Sequence, residues 1–168
     1  MTHMLIGLIS DTHDNLPQIE KAITHLNNSG VQLVLHAGDY CSPSTITKFK
    51  TLNCKLIGVF GNNDGDQELL KKRFNETQNC KIHGRLTQIN AGNYKIALLH
   101  GDEPKRLITL VYSQKFNAVI HGHTHNKNIE HRENTLIINP GELCGYLTGK
   151  STLAILDTEE NKAEIIEL

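Results

Sequence analysis

Five short apolar runs in this chain end alike, each entering a loop that delivers an aspartate, an asparagine or a histidine. Leu5–Ile9 enters Ser10-Asp11-Thr12-His13, and residues 31–37 enter Gly38-Asp39. Residues 55–60 enter Gly61-Asn62-Asn63-Asp64, Tyr94–Leu99 enters His100-Gly101-Asp102, and residues 118–121 enter Gly122-His123-Thr124-His125. A brief apolar run bounded by turn residues reads as a buried strand. The polar residues therefore sit beyond strand ends, where sheet-based folds place ligand sites. Asp11 and His13 are two residues apart, a spacing that points both side chains the same way if the backbone stays extended.

The intervening stretches read mostly as helices. Leu16, Ile19, Ala22, Ile23 and Leu26 keep helical spacing behind a capping Asn15, with Pro17 in the tolerant first turn and Gly30 closing the element. Ser42-Pro43 resembles a cap followed by a first-turn proline, opening a short helix that buries Ile46 and Phe49. Asp66 is placed to cap a helix carrying Leu69, Leu70 and Phe74, and Leu107, Ile108, Val111 and Tyr112 mark another. Later the period shortens to two. Residues 86–90 and Tyr94–Leu99 form a hairpin around Ala91-Gly92-Asn93, residues 135–138 a strand ending in Asn139-Pro140-Gly141, and residues 152–157 and 163–168 a closing hairpin. The expected fold class is α/β, with helices covering a mixed two-sheet core in a single domain over residues 1–168.

Composition narrows the classes of function. A formal net charge of −1, with both signs spread along the chain, supplies no basic footprint, so nucleic acid is not the expected partner. No stretch approaches the roughly 20 apolar residues of a membrane span, and no cationic, leader-like block opens the chain. Cys41, Cys54, Cys80 and Cys144 lack paired metal-knuckle spacing, which suits reduced thiols and a cytoplasmic location. A homo-oligomer is compatible with all of this.

Collected, the strand-end residues are Asp11, His13, Asp39, Asn62, His100, His123 and His125. They are too many for one tetrahedral zinc and too rich in nitrogen for calcium or magnesium. A mononuclear iron site of two histidines and a carboxylate would leave most of them unused. Two ions sharing a carboxylate fit better, because paired ions about 3.5–4 Å apart clamp the attacking and leaving oxygens of an in-line displacement. Imidazole, carboxylate and amide donors suit manganese, iron, nickel or zinc.

The five blocks, in order and spanning nearly the whole chain, resemble the signature of calcineurin-like metallophosphoesterases, and the size resembles their small prokaryotic branch of YfcE and MJ0936-type phosphodiesterases. The resemblance implies a four-layer αββα sandwich of two mixed sheets flanked by helices. It implies that Asp11, His13 and His125 hold one divalent ion, that Asn62, His100 and His123 hold the other, and that Asp39 bridges. The implied reaction is hydrolysis of a small phosphate ester, a diester before others, by in-line attack of a metal-bridging hydroxide. Asn62, Asp64 and His123 are the candidate catalytic residues, with His123 or Asp64 tuning the geometry. Larger relatives carry histidine at the place of Asn63, where it serves as proton donor or substrate guide, and Asn63 cannot donate a proton usefully. Glu142 stands where serine often follows the Asn139-Pro140-Gly141 turn.

Two divalent ions with Asp11, Asp39 and a hydroxide leave a centre of about +1. The surrounding loops are rich in acids, and no arginine fork awaits a phosphate dianion, which favours monoanionic diesters over monoesters. A scaffold role like that of the retromer subunit Vps29, which resembles this family, is the alternative.

Overall fold

Helical crossovers make neighbouring strands parallel, and the first half of the chain is built of them. The computed structural model describes residues 3–168. In chain order it runs β1 (Leu5–Ile9), α1 (Leu16–Asn28), β2 (Leu33–His36), a single 3₁₀ turn (Pro43–Thr45), α2 (Ile46–Phe49), β3 (Lys55–Gly58), α3 (Gln67–Asn75) and β4 (Cys80–Ile82). Then follow β5 (Leu86–Ala91), β6 (Tyr94–Leu99), α4 (Pro104–Tyr112), β7 (Ala118–Ile120), β8 (Asn128–Arg132), β9 (Thr135–Asn139), β10 (Thr152–Asp157) and β11 (Lys162–Glu167). One mixed sheet has the order β11-β10-β1-β2-β3-β4 and the other β5-β6-β7-β9-β8.

Alternation along the strands assembles four layers. Ile6 and Leu8 of β1 and Leu33 and Leu35 of β2 face Ile96 and Leu98 of β6, Ile120 of β7 and Ile138 of β9, forming the core between the sheets. On the outer face of the first sheet, Ile9 and Val34 pack with Ile19, Ile23 and Leu26 of α1, Phe49 of α2 and Phe74 of α3. On the outer face of the second, Ala97, Leu99, Val119 and Ile137 meet Val111 of α4. The αββα sandwich is therefore observed. Each buried aliphatic or aromatic side chain contributes about 1.5–3 kcal/mol, so the three clusters fix the layers and hence the loops beyond the strand ends. Among the described residues no helix is long and apolar enough to cross a membrane.

Several local expectations are corrected. Ser42 stands at the N-cap position with Pro43 in the first turn, as read, but its side chain makes no cap bond; the hydroxyl instead donates to Asp14 Oδ1 at 2.8 Å. Leu69, Ile108 and Tyr112, counted in the apolar patterns of their helices, are exposed; the contacts to the sheets are made by Leu70 and Phe74 of α3 and by Val111, with Leu107 and Leu110, of α4. The edge strands β4 and β8 were not anticipated. The first has three residues, and the second, Asn-Ile-Glu-His-Arg, lacks an apolar run.

Candidate metal centre

The loops beyond β1, β2, β3, β6 and β7 meet at one end of the sandwich. The first is zipped to the second by main-chain bonds from the Asp11 amide to the Gly38 carbonyl, 3.0 Å, and from the Thr12 and His13 amides to the Asp39 carbonyl, 3.1 Å each. The Gly122 amide reaches the His100 carbonyl at 2.8 Å, and the Cys144 amide the Asp11 carbonyl at 3.0 Å. Glycine permits the closest approach. At Gly38, φ +99°, a Cβ would lie 2.6 Å from the Gly61 amide nitrogen.

Asp11 and His13 converge for a reason other than the extended backbone anticipated. Asp11 (φ 52°), His13 (38°), Asp39 (64°), His123 (68°) and His125 (62°) all take the left-handed conformation. Outside glycine such residues typically cost about 1–3 kcal/mol each and persist where the surroundings over-determine them, commonly at functional sites. Here the inter-loop bonds do the over-determining.

All seven strand-end residues come together. His13 Nε2 lies 3.9 Å from Asp11 Oδ1, and His125 Nε2 lies 3.5 Å from the same oxygen. Asn62 Oδ1 sits 3.0 Å from His100 Nε2 and 3.1 Å from His123 Nδ1. Between the two groups, Asp39 Oδ2 is 3.5 Å from His13 Nε2 and 3.3 Å from His100 Nε2. Asp11 Oδ1 and His13 Nε2 are buried without a hydrogen-bond partner among the described residues. A buried acceptor left unpaired is costly, and two of them aimed at one space fit a cation. The donor set therefore suits a pair of divalent ions.

Electrostatics agree. Burial pushes the Asp11 carboxyl up, yet His13, His100, Ser10 and His125 outweigh it and hold the group below its usual range. Burial is likewise overcome at Asp39, where His100 and Asn63 hold the carboxyl far down. The neighbouring Asp11 carboxylate raises His13 against desolvation, and at His100 the pull of Asp39 and Asp11 overcomes desolvation. These are ionised acids beside imidazoles that hold protons tightly, an arrangement a metal ion would enter by displacing protons.

The neighbouring residues have distinct places. Asp64 lies behind Asp39, its Oδ2 accepting from the Asp39 and Gly61 amides at 3.0 and 2.7 Å and its Oδ1 from the Tyr40 and Cys41 amides at 2.7 and 2.9 Å. Cys41 has its Sγ 3.2 Å from His13 Nδ1. Burial and the surrounding acids push that thiol up to about 12, so it is no ready nucleophile. His121 lies one residue past β7, turned to the Gly122 carbonyl at 3.1 Å. Glu142, fully buried, meets His125 Nδ1 at 2.5 Å, a partnership 17 residues apart that no local pattern could reveal. Desolvation raises its carboxyl, but His125, Thr148 and Leu147 bring it down to about 2.

Four layers with a two-lobed cluster of histidine, carboxylate and amide at the strand ends define a metallophosphoesterase. The chain belongs to the calcineurin-like phosphoesterase superfamily, whose domain it matches over residues 4–161. It is 40% identical over 165 residues to the phosphodiesterase MJ0936 of Methanocaldococcus jannaschii, covering 98% of this chain and 99% of that one. A solved archaeal phosphodiesterase superposes with a TM-score of 0.93 at 40% identity, over 98% of this chain and 100% of its own. Zinc-bound Vps29 of Entamoeba histolytica, 22% identical with a TM-score of 0.70 over 98% of each chain, shares the fold.

Proposed function

We propose that this protein is a phosphodiesterase working with two divalent ions, manganese first among them, on small monoanionic phosphate diesters in the cytoplasm. The observation that carries the reading is Asp39 Oδ2, set between His13 Nε2 at 3.5 Å and His100 Nε2 at 3.3 Å, one from each expected ligand group, so that Asp39 would serve both. Asp11, His13 and His125 would hold one ion and Asn62, His100 and His123 the other. When bound, such ions make water nucleophilic near neutral pH and offset charge developing on phosphorus.

The chain's own groups prepare that chemistry. The Ala37 carbonyl, 2.8 Å from His100 Nδ1, requires the proton on that nitrogen and leaves Nε2 free to coordinate. Asp64 is a positioning residue, fixing Asp39 through four backbone amides rather than touching substrate. Asn62 and His123 face the solvent side, where a phosphoryl oxygen would approach. The two arginines of the adjoining loops are already engaged. Arg85 pairs with Asp102 and with Glu103 at 3.5 Å, and Arg106 with Glu103 at 3.0 Å. That leaves little to neutralise the second charge of a monoester.

Hydrolysis of an aryl phosphodiester with manganese added, comparing wild type with Asn62→Ala and His123→Ala, tests the reading. Each variant is expected to lose roughly 10²-fold or more, the typical effect of removing one strong electrostatic stabiliser. Full activity in both would remove the dimetal mechanism.

A further inference from the structure

We propose that Glu142 is a positioning residue for one half of the metal centre, orienting His125 for coordination through Nε2 and pinning the 146–148 turn to the same ring. The inference rests on the dimetal reading above and assigns it a polarity between the two ion positions.

A carboxylate can only accept, so at 2.5 Å His125 Nδ1 must be the donor, and its lone pair is left on Nε2, the atom 3.5 Å from Asp11 Oδ1. The other rings presenting Nε2 have weaker support. His100 Nδ1 meets a carbonyl, that of Ala37, and His13 Nδ1 meets the Cys41 thiol. An imidazole backed by an anion is the more basic ligand, and partners of this kind typically change metal affinity about 10–100-fold. Glu142 is therefore expected to strengthen the position formed by Asp11, His13 and His125, leaving that of Asn62, His100 and His123 untouched.

The rest of the carboxylate is committed to one loop. Oε1 accepts from the Leu147 amide at 2.9 Å, the Thr148 amide at 2.5 Å and the Thr148 hydroxyl at 2.7 Å. Oε2 also accepts from the Leu147 amide and the Cys144 thiol, 3.2 Å each. A buried charge is tolerated when its lone pairs are filled in this way. A turn could be stapled by a neutral side chain. The charge has its use on the other side, at His125.

Metal-free wild type, Glu142→Gln and Thr148→Val are titrated with manganese by calorimetry. Wild type is expected to bind two ions. Glu142→Gln is expected to bind one with unchanged affinity and the second about 10–100-fold more weakly. Thr148→Val, which removes one hydroxyl bond to Oε1 and loosens the turn but keeps the carboxylate's charge and its contact with His125, is expected to match wild type. Two ions at wild-type affinity in Glu142→Gln would overturn the inference alone, as would an equal loss in Thr148→Val. Fewer than two ions in wild type would overturn the dimetal reading and the inference with it. Should Glu142→Gln not fold, the ring ¹⁵N spectrum of wild type decides: a protonated Nδ1 at His125 is expected, and a protonated Nε2 contradicts.

Discussion

Asn63 holds Asp39 from two directions: its backbone amide donates to Oδ1 at 2.9 Å and its side-chain amide to Oδ2 at 2.8 Å. Where larger relatives place a histidine, this chain places a clamp on the central carboxylate. Asn63→Ala should therefore act by loosening Asp39 and not by removing an acid. We expect kcat for an aryl diester to fall by about 10-fold, less than the ~10²–10⁴ typical of a lost general acid, with the pH–rate profile unchanged in shape. A vanished basic limb in the variant's profile would show that Asn63 takes part in proton transfer after all.

The substrate's charge supplies a second expectation. Arg85 and Arg106 are bound to Asp102 and Glu103, and Lys127 and Lys150 reach Glu167 at 3.9 and 3.1 Å. With a centre near +1, aryl phosphodiesters should be turned over with higher kcat/KM than the matching monoesters. A panel of paired esters with a common leaving group checks this, and a reversed order would contradict the charge argument.

Much of this site was legible because strand ends announce themselves. Apolar runs stop where Asp11, Asp39, Asn62, His100 and His123 begin, and that boundary survives ignorance of the tertiary fold. The conformation at the boundary did not show. Left-handed backbone at Asp11 and His13 is imposed by bonds to Gly38 and Asp39, residues more than twenty positions away. Helix faces were read too generously at Ile108 and Tyr112, since the apolar pattern alone did not show that the packed stripe of α4 runs through Leu107, Leu110 and Val111. Glu142 stood out only as a departure. Its meaning lay in His125 and in the amides of Leu147 and Thr148, long-range partners invisible to spacing.

His36 predicts acid sensitivity. Its Nδ1 accepts from the Gly38 amide at 3.0 Å, its Nε2 meets the Thr12 hydroxyl at 3.1 Å, and complete burial lowers its pKa from 6.5 to about 3. Between these values the unfolded chain binds a proton that the folded chain refuses, so stability falls as pH drops from about 6.5 towards 3. The full effect is on the order of a few kcal/mol. Urea unfolding of the metal-free protein at pH 7 and pH 5 should show a larger loss in wild type than in His36→Gln. Equal losses would contradict the assignment.

Tyr40 predicts the opposite of the usual core truncation. The ring is fully buried against His36, centroids 3.9 Å apart, while its hydroxyl has no hydrogen-bond partner among the described residues. An unpaired buried hydroxyl typically costs about 1–3 kcal/mol. Tyr40→Phe should therefore leave Tm unchanged or raise it, whereas Gly58→Ala should lower it, because a Cβ there would lie 1.8 Å from the Tyr40 oxygen. A drop in Tm for Tyr40→Phe in a thermal melt would reveal a partner for that hydroxyl.

Manganese-soaked crystals, measured at the manganese absorption edge, test the central claim most directly. Two anomalous peaks about 3.5–4 Å apart are predicted, one among Asp11, His13 and His125, the other among Asn62, His100 and His123, with Asp39 touching both. A lone peak, or peaks that Asp39 does not join, would contradict it.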